Sequence, residues 1–168
     1  WLDDSDYSER LLANGRTPWG DVAEYVAYRR KAHGLLRPDF VVLPLGRFAD
    51  AHVAADAALR DAMAAKKRAV VPARTLLADE AWRAHLTELL KAMRAAFGSA
   101  PLVLALPSPR ALVAQAYRLA FGPDAQVEVG GDEADACAVY VADFLSAFGE
   151  SGVDGVLLEE AEGAEPAA

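Results

Sequence analysis

Two apolar runs, Asp39 to Leu45 and Pro101 to Leu106, are dense in Val and Leu and show no polar alternation. Each gives way to a stretch whose apolar residues return every three or four positions. Runs of this length are short for helices, and unbroken apolar character marks a strand covered on both faces, as in a parallel sheet. Their alternation with amphipathic helical stretches predicts an α/β fold built from parallel βα units.

The sharpest junction is Leu106-Pro107-Ser108-Pro109-Arg110. The strand ends there and a helix begins at once. Ser108 is placed to accept from the first free N–H groups, and Pro109 sits where a missing N–H costs nothing. Unpaired N–H groups and the helix dipole, with Arg110 beside them, make this either an anion site or simply a helix start.

Along the rest of the chain, Thr17-Pro18 is expected to cap a helix running to about His33, with Gly34 ending it. Asp50 is expected to cap a helix through roughly Ala65, and Ala69 to Pro72 reads as a short second strand. Asp79 opens the clearest helix, with Trp82, Leu86, Leu89, Leu90, Met93 and Phe97 on one stripe and Gly98 at its end. After the strand at 102–106, a helix carries Leu112, Val113, Ala116, Tyr117 and Ala120 toward the sheet and ends at Phe121-Gly122-Pro123. Gln126 to Val129 reads as a small strand or an extended loop. Asp132 is expected to cap the last helix, and Val153 to Leu158 forms the final strand.

This gives an N-terminal helical segment at 1–36, a βα domain at 37–160 and an acidic tail at 161–168. Two architectures fit four parallel strands: a half or partial TIM-type barrel, or a small open doubly wound sheet. A half barrel standing alone exposes strand edges and one apolar sheet face, so it needs a cover. That cover is a further C-terminal half, another copy of the chain or a different protein.

Composition narrows the function classes. The net charge is −8, but 150–168 holds six acidic residues and no basic one, leaving −2 on the rest. That body lacks a basic face studded with aromatics, and Lys66-Lys67-Arg68 reads as a helix C-terminus, so nucleic acid is not an expected partner. The single Cys137 excludes an internal disulfide, lies on the core stripe of the last helix, and with three scattered His offers no zinc-ligand spacing. No run approaches the roughly 18 to 20 apolar residues of a membrane span, and the acidic start is unlike a signal peptide. A cytoplasmic protein without a membrane partner is expected. The chain starts at Trp1 with no initiator Met, as in a processed or renumbered form or a piece of a longer chain.

Leu-Pro-Ser-Pro at 106–109, the helix and loop after it, a second helix around Val139-Tyr140, and Ser151-Gly152-Val153-Asp154-Gly155-Val156-Leu157-Leu158-Glu159-Glu160 resemble the uroporphyrinogen decarboxylase and cobalamin-independent methionine synthase superfamily. The resemblance covers roughly the last third of the chain. In the methionine synthase branch the last of these strands ends Gln-x-Asp-Glu-Pro. Here Leu157, Glu159, Glu160 and Ala161 take the Gln, Asp, Glu and Pro places, so only the acidic pair is kept.

The resemblance implies the N-terminal half of a barrel that binds ligands at the C-terminal ends of its strands. Those ends carry Arg47, Arg74, Ser108 with Arg110, and Glu159-Glu160. Arg47 and Arg74 are then candidates to clamp a carboxylate or phosphate, with Arg110 assisting. Their alternative is to bridge loops or to pair with Asp50 or Asp79. Glu159 is the candidate inward carboxylate, against a place in the solvated tail. His52 is a candidate acid or base, against a surface position in a helix. His33 and His85 read as structural.

The decarboxylase branch works without metal or cofactor, and the methyl-transfer branch uses zinc held by His and Cys later in the barrel. No cofactor is expected in this chain, and zinc enters only if a further C-terminal half supplies its ligands. The expected function is part of a decarboxylase-like (lyase) or methyltransferase-like barrel acting on a small anionic organic substrate. The alternative is a non-catalytic half-barrel binding or assembly module that self-associates or pairs with another chain. An open flavodoxin-like domain, with the final strand at an edge, is a third architecture.

Overall fold

A computed structural model of the protein describes residues 4–160. The tail expected at 161–168 lies outside the described residues. Among them the chain forms eight helices and a three-stranded sheet. In order these are α1 (Ser5–Leu12), α2 (Val22–Leu36), β1 (Val41–Pro44), α3 (Leu45–Ala55), α4 (Ala57–Met63), α5 (Val70–Leu77), α6 (Glu80–Phe97), β2 (Leu102–Pro107), α7 (Pro109–Phe121), α8 (Gly131–Ser146) and β3 (Gly155–Glu159). The strands are parallel and lie in the order β1-β2-β3. The chain therefore has the parallel α/β organisation expected of it, with a small open sheet.

Register sorts the strand residues onto two faces. Val41 pairs with Leu102 and Leu43 with Leu104, while Leu104 and Leu106 pair with Val156 and Leu158. Side chains of paired residues share a face, so these form one apolar row. Its β1 and β2 members join Trp82, Leu86, Leu89, Leu90 and Met93 of α6, Leu112, Val113 and Ala116 of α7, and Cys137, Val141 and Phe144 of α8 in the core. On the opposite face Ala105 is buried and Val42, Pro44, Val103, Pro107 and Leu157 are half-buried, and all six lie outside that core.

The α6 stripe is the one its periodicity predicts, and its cap is Asp79, whose carboxylate accepts from Trp82 N at 2.7 Å. Ser108 likewise caps α7, accepting from Ala111 N at 3.2 Å, with Pro109 in the first turn. Cys137 is buried in the core, and the surrounding apolar atoms push its thiol up to about 11.

The segment 69–72 is not a strand. It enters α5, which reduces the four expected strands to three. Pro72 falls within the first turn, where its nitrogen has no carbonyl to meet, and Pro72, Ala73, Leu76 and Leu77 make one buried helical stripe. Asp50 is no cap either. Helix α3 starts directly after β1 at Leu45, and the stretch to 65 breaks at Asp56, which caps α4 by accepting from Leu59 N at 2.9 Å.

Thr17 does not cap α2, because its hydroxyl donates to the Glu9 carboxylate at 2.8 Å; Asp21 caps α2 instead, accepting from Glu24 N. Gly34 stays inside that helix. Arg37 takes the left-handed position that ends it (φ 46°), and Pro38 follows. Helix α1 lies within the helical segment expected at 1–36, ahead of the helix expected from Thr17. Helix α8 is capped at Gly130, whose N–H donates to the Glu133 carboxylate at 3.0 Å, so Asp132 sits in the first turn rather than at the cap. Residues 126–129 form an extended loop.

Candidate functional site

Parallel strands bring their carboxyl ends to one side of the sheet, and helix N-termini follow there. That side gathers Arg47 in the first turn of α3, Ser108 and Arg110 at the start of α7, and Glu159 at the end of β3. Ser108 and Glu159 are joined directly, since Ser108 N donates to the Glu159 carbonyl at 2.8 Å. The Ser108 side chain is buried and committed to its cap.

The two arginines reach outward from this junction. Arg47 pairs with Asp6 of α1 at 2.5 Å, and its guanidinium holds the Asp6 carboxyl below the usual range. Arg110 donates to the Val129 carbonyl at 3.1 Å, fixing the loop between α7 and α8. Each thus ties down a distant segment.

Arg74 and His52 stand elsewhere. Arg74 is exposed on α5 rather than at a strand end. His52, in the last turn of α3, places Nε2 3.0 Å from Asp79 Oδ1 and stacks on the Trp82 ring. Because Asp79 also accepts from Trp82 N, the imidazole fastens the end of α3 to the start of α6. Asp79 lines a cleft of about 720 Å³ with Asp56, Arg74, Thr75 and Glu80, so the partner of His52 and Arg74 do share a surface, one built from helices.

A second cleft, also about 720 Å³, lies at the β2 end between α3, α4 and α7, and sequence reading missed it. Asp50, Arg60, Pro107, Gln115 and Arg118 line it. Gln115 Nε2 donates to the Asp50 carboxylate at 2.6 Å and to the Gly46 carbonyl at 3.0 Å. Burial raises the Asp50 carboxyl, opposed by Gln115, Arg47 and Arg118. Arg60 and Arg118 are exposed at its margin, so the cleft offers guanidinium groups to an anion over an apolar floor of Val53, Ala54 and Leu119. The only advance signal was the spacing of Gln115 and Arg118 on one face of α7.

Among the described residues no group of three or more His, Cys, Asp or Glu is arranged to hold a metal ion, and no helix is long and apolar enough to cross a membrane. Fold and surface together define a small α/β domain with a small, open parallel sheet. No protein family, curated protein or solved structure matches the chain.

Proposed function

We propose that this chain is a non-catalytic α/β binding and assembly module whose sheet is completed by another polypeptide. One contrast carries the reading. Leu104 and Leu106 of β2 are 1% and 2% exposed, whereas Val156 and Leu158, their register partners on β3, are 48% and 53% exposed. The same apolar row is core on one strand and surface on the next.

Exposed apolar side chains on an edge strand invite association. The half-buried second face, with Val42, Val103 and Leu157, adds to this, being the face that a partial barrel would turn inward. The engagement of Arg47, Ser108, Arg110 and His52 in caps and ties also favours a structural module over a catalytic one.

A photo-crosslinking amino acid at position 158 tests the reading in cells expressing the protein. A polypeptide adduct is expected. No polypeptide adduct at 158, with efficient crosslinking at a core control position, overturns it.

A second reading keeps the barrel resemblance and gives the chain a small anionic organic ligand. The Arg60 and Arg118 margin of the β2-end cleft favours it. An anionic ligand class that raises the melting temperature of the wild type, but not of Arg118→Ala, would support this reading. Equal shifts in both proteins would remove it.

A further inference from the structure

Charge is divided along this fold. Residues 1–118 hold all 17 Lys and Arg and 13 of the 25 Asp and Glu, a net +4; residues 119–168 hold the other 12 acids and no base. The acidic part contains α8 and β3, and the basic part contains α2 and β1. Strands β1 and β3 are the two opposite edges of the sheet.

Each of the two parts also has an exposed apolar pair. On β3 stand Val156 and Leu158, with exposed Glu150 and Glu160 before and after the strand. At the end of α2 stand Leu35 and Leu36, 66% and 38% exposed, with exposed Arg30, Lys31 and Arg37 near them in the chain against one exposed acid, Asp39. The two patches match in apolar character and oppose each other in charge. Patches on different surfaces of one chain make a heterologous contact, in which each copy uses one patch to receive and the other to give.

We propose that a second copy of this chain covers the β3 edge, its basic Leu35-Leu36 patch meeting the acidic Val156-Leu158 patch so that copies associate head to tail. This deepens the assembly reading and rests on it. Pro44 leaves β1 without one N–H, so the contact draws on side-chain burial and charge rather than on a complete backbone ladder. Opposed charge rims of this kind steer encounter and set orientation, and salt weakens them.

Sedimentation velocity on the purified protein tests the proposal with two variants. Val156→Lys with Leu158→Lys blocks the acidic patch; Lys31→Glu with Leu35→Glu blocks the basic one. All four positions are exposed, and circular dichroism melting verifies that each variant folds. The wild type is expected to self-associate, and raising NaCl from about 50 mM to about 500 mM should weaken association by about tenfold.

Each variant alone should be monomeric. Their equimolar mixture should form a dimer and nothing larger, because one working acidic patch then meets one working basic patch. A wild type that stays monomeric, or a mixture that stays monomeric, overturns the proposal. The adduct at position 158 separates the two levels: twice the chain mass supports a second copy, another polypeptide mass refutes the second copy while leaving the assembly reading, and no polypeptide adduct refutes both.

Discussion

Arg94 of α6 donates to the carboxylate of Asp154, and the same carboxylate accepts from Leu102 N at 2.7 Å. Arg94 further donates to the carbonyls of Gly98, Ala100 and Gly152. One guanidinium and one carboxylate thereby join the end of α6, the start of β2 and the approach to β3. The clamp sets where the edge strand enters the sheet.

The Leu102 N–H, and after it Arg94, hold the Asp154 carboxyl below its ordinary value of 3.8. A folded value below the unfolded one means that this contribution to stability is complete above 3.8 and is lost as pH falls through the folded value. Asp154→Asn removes the charge. Urea unfolding should find the variant less stable than the wild type at neutral pH, with the gap closing as pH drops below 3.8. A gap independent of pH would show that the carboxylate's charge plays no part.

Gly152 is the clamp's other dependency. Its φ is 78°, and a Cβ there would meet Arg94 Nε at 2.9 Å and Arg94 Cγ at 3.0 Å. Gly152→Ala should cost about 1–3 kcal/mol from backbone strain, with displacement of Arg94 added. In an Arg94→Ala background only the backbone part remains. The double-mutant cycle should therefore show a non-zero coupling, read from urea midpoints and slopes.

Much of this scaffold was readable in advance where local physics decides. Asp79 before a three-to-four-residue apolar stripe, and Ser108-Pro109 after an apolar run, are caps whose partners lie three residues away. Val70-Val71-Pro72 misled because two β-branched residues beside a proline read as a strand edge. Only the stripe from Pro72 to Leu77 shows the helix. Arg47, Ser108, Arg110 and Glu159 were legible in position at strand ends, Arg74 was not, and the partners of Arg47, Arg110 and His52 were illegible. Arg47 was expected at the end of β1, but its partner Asp6 is 41 residues away, and Gln115 meets Asp50 across 65 residues. Such contacts depend on how helices pack, which no local pattern reports.

Leu104 and Leu158 should respond oppositely to the same truncation. Leu104→Ala empties a fully packed position and should cost about 2–5 kcal/mol in urea unfolding. Leu158→Ala, at 53% exposure, should stay within about 0.5 kcal/mol in the monomer. Under the assembly reading Leu158→Ala should nonetheless weaken association in sedimentation velocity, where a monomer-only effect would leave it unchanged. The two measurements together separate a residue that holds the fold from one that holds a partner.

Asp79 serves two groups, so its substitutions divide its roles. Alanine removes both the acceptor for Trp82 N and the partner of His52, and should cost about 0.5–2 kcal/mol for the lost cap alone. Asparagine keeps a side-chain oxygen at the cap and removes the charge facing His52. If the cap dominates, Asp79→Asn should retain more than half of the stability that Asp79→Ala loses, by urea unfolding at neutral pH. Equal losses would instead assign the stability to the carboxylate's charge opposite His52. His52→Ala completes the comparison: it leaves the cap in place, so it should cost less than Asp79→Ala if fastening α3 to α6 is the smaller of the two roles.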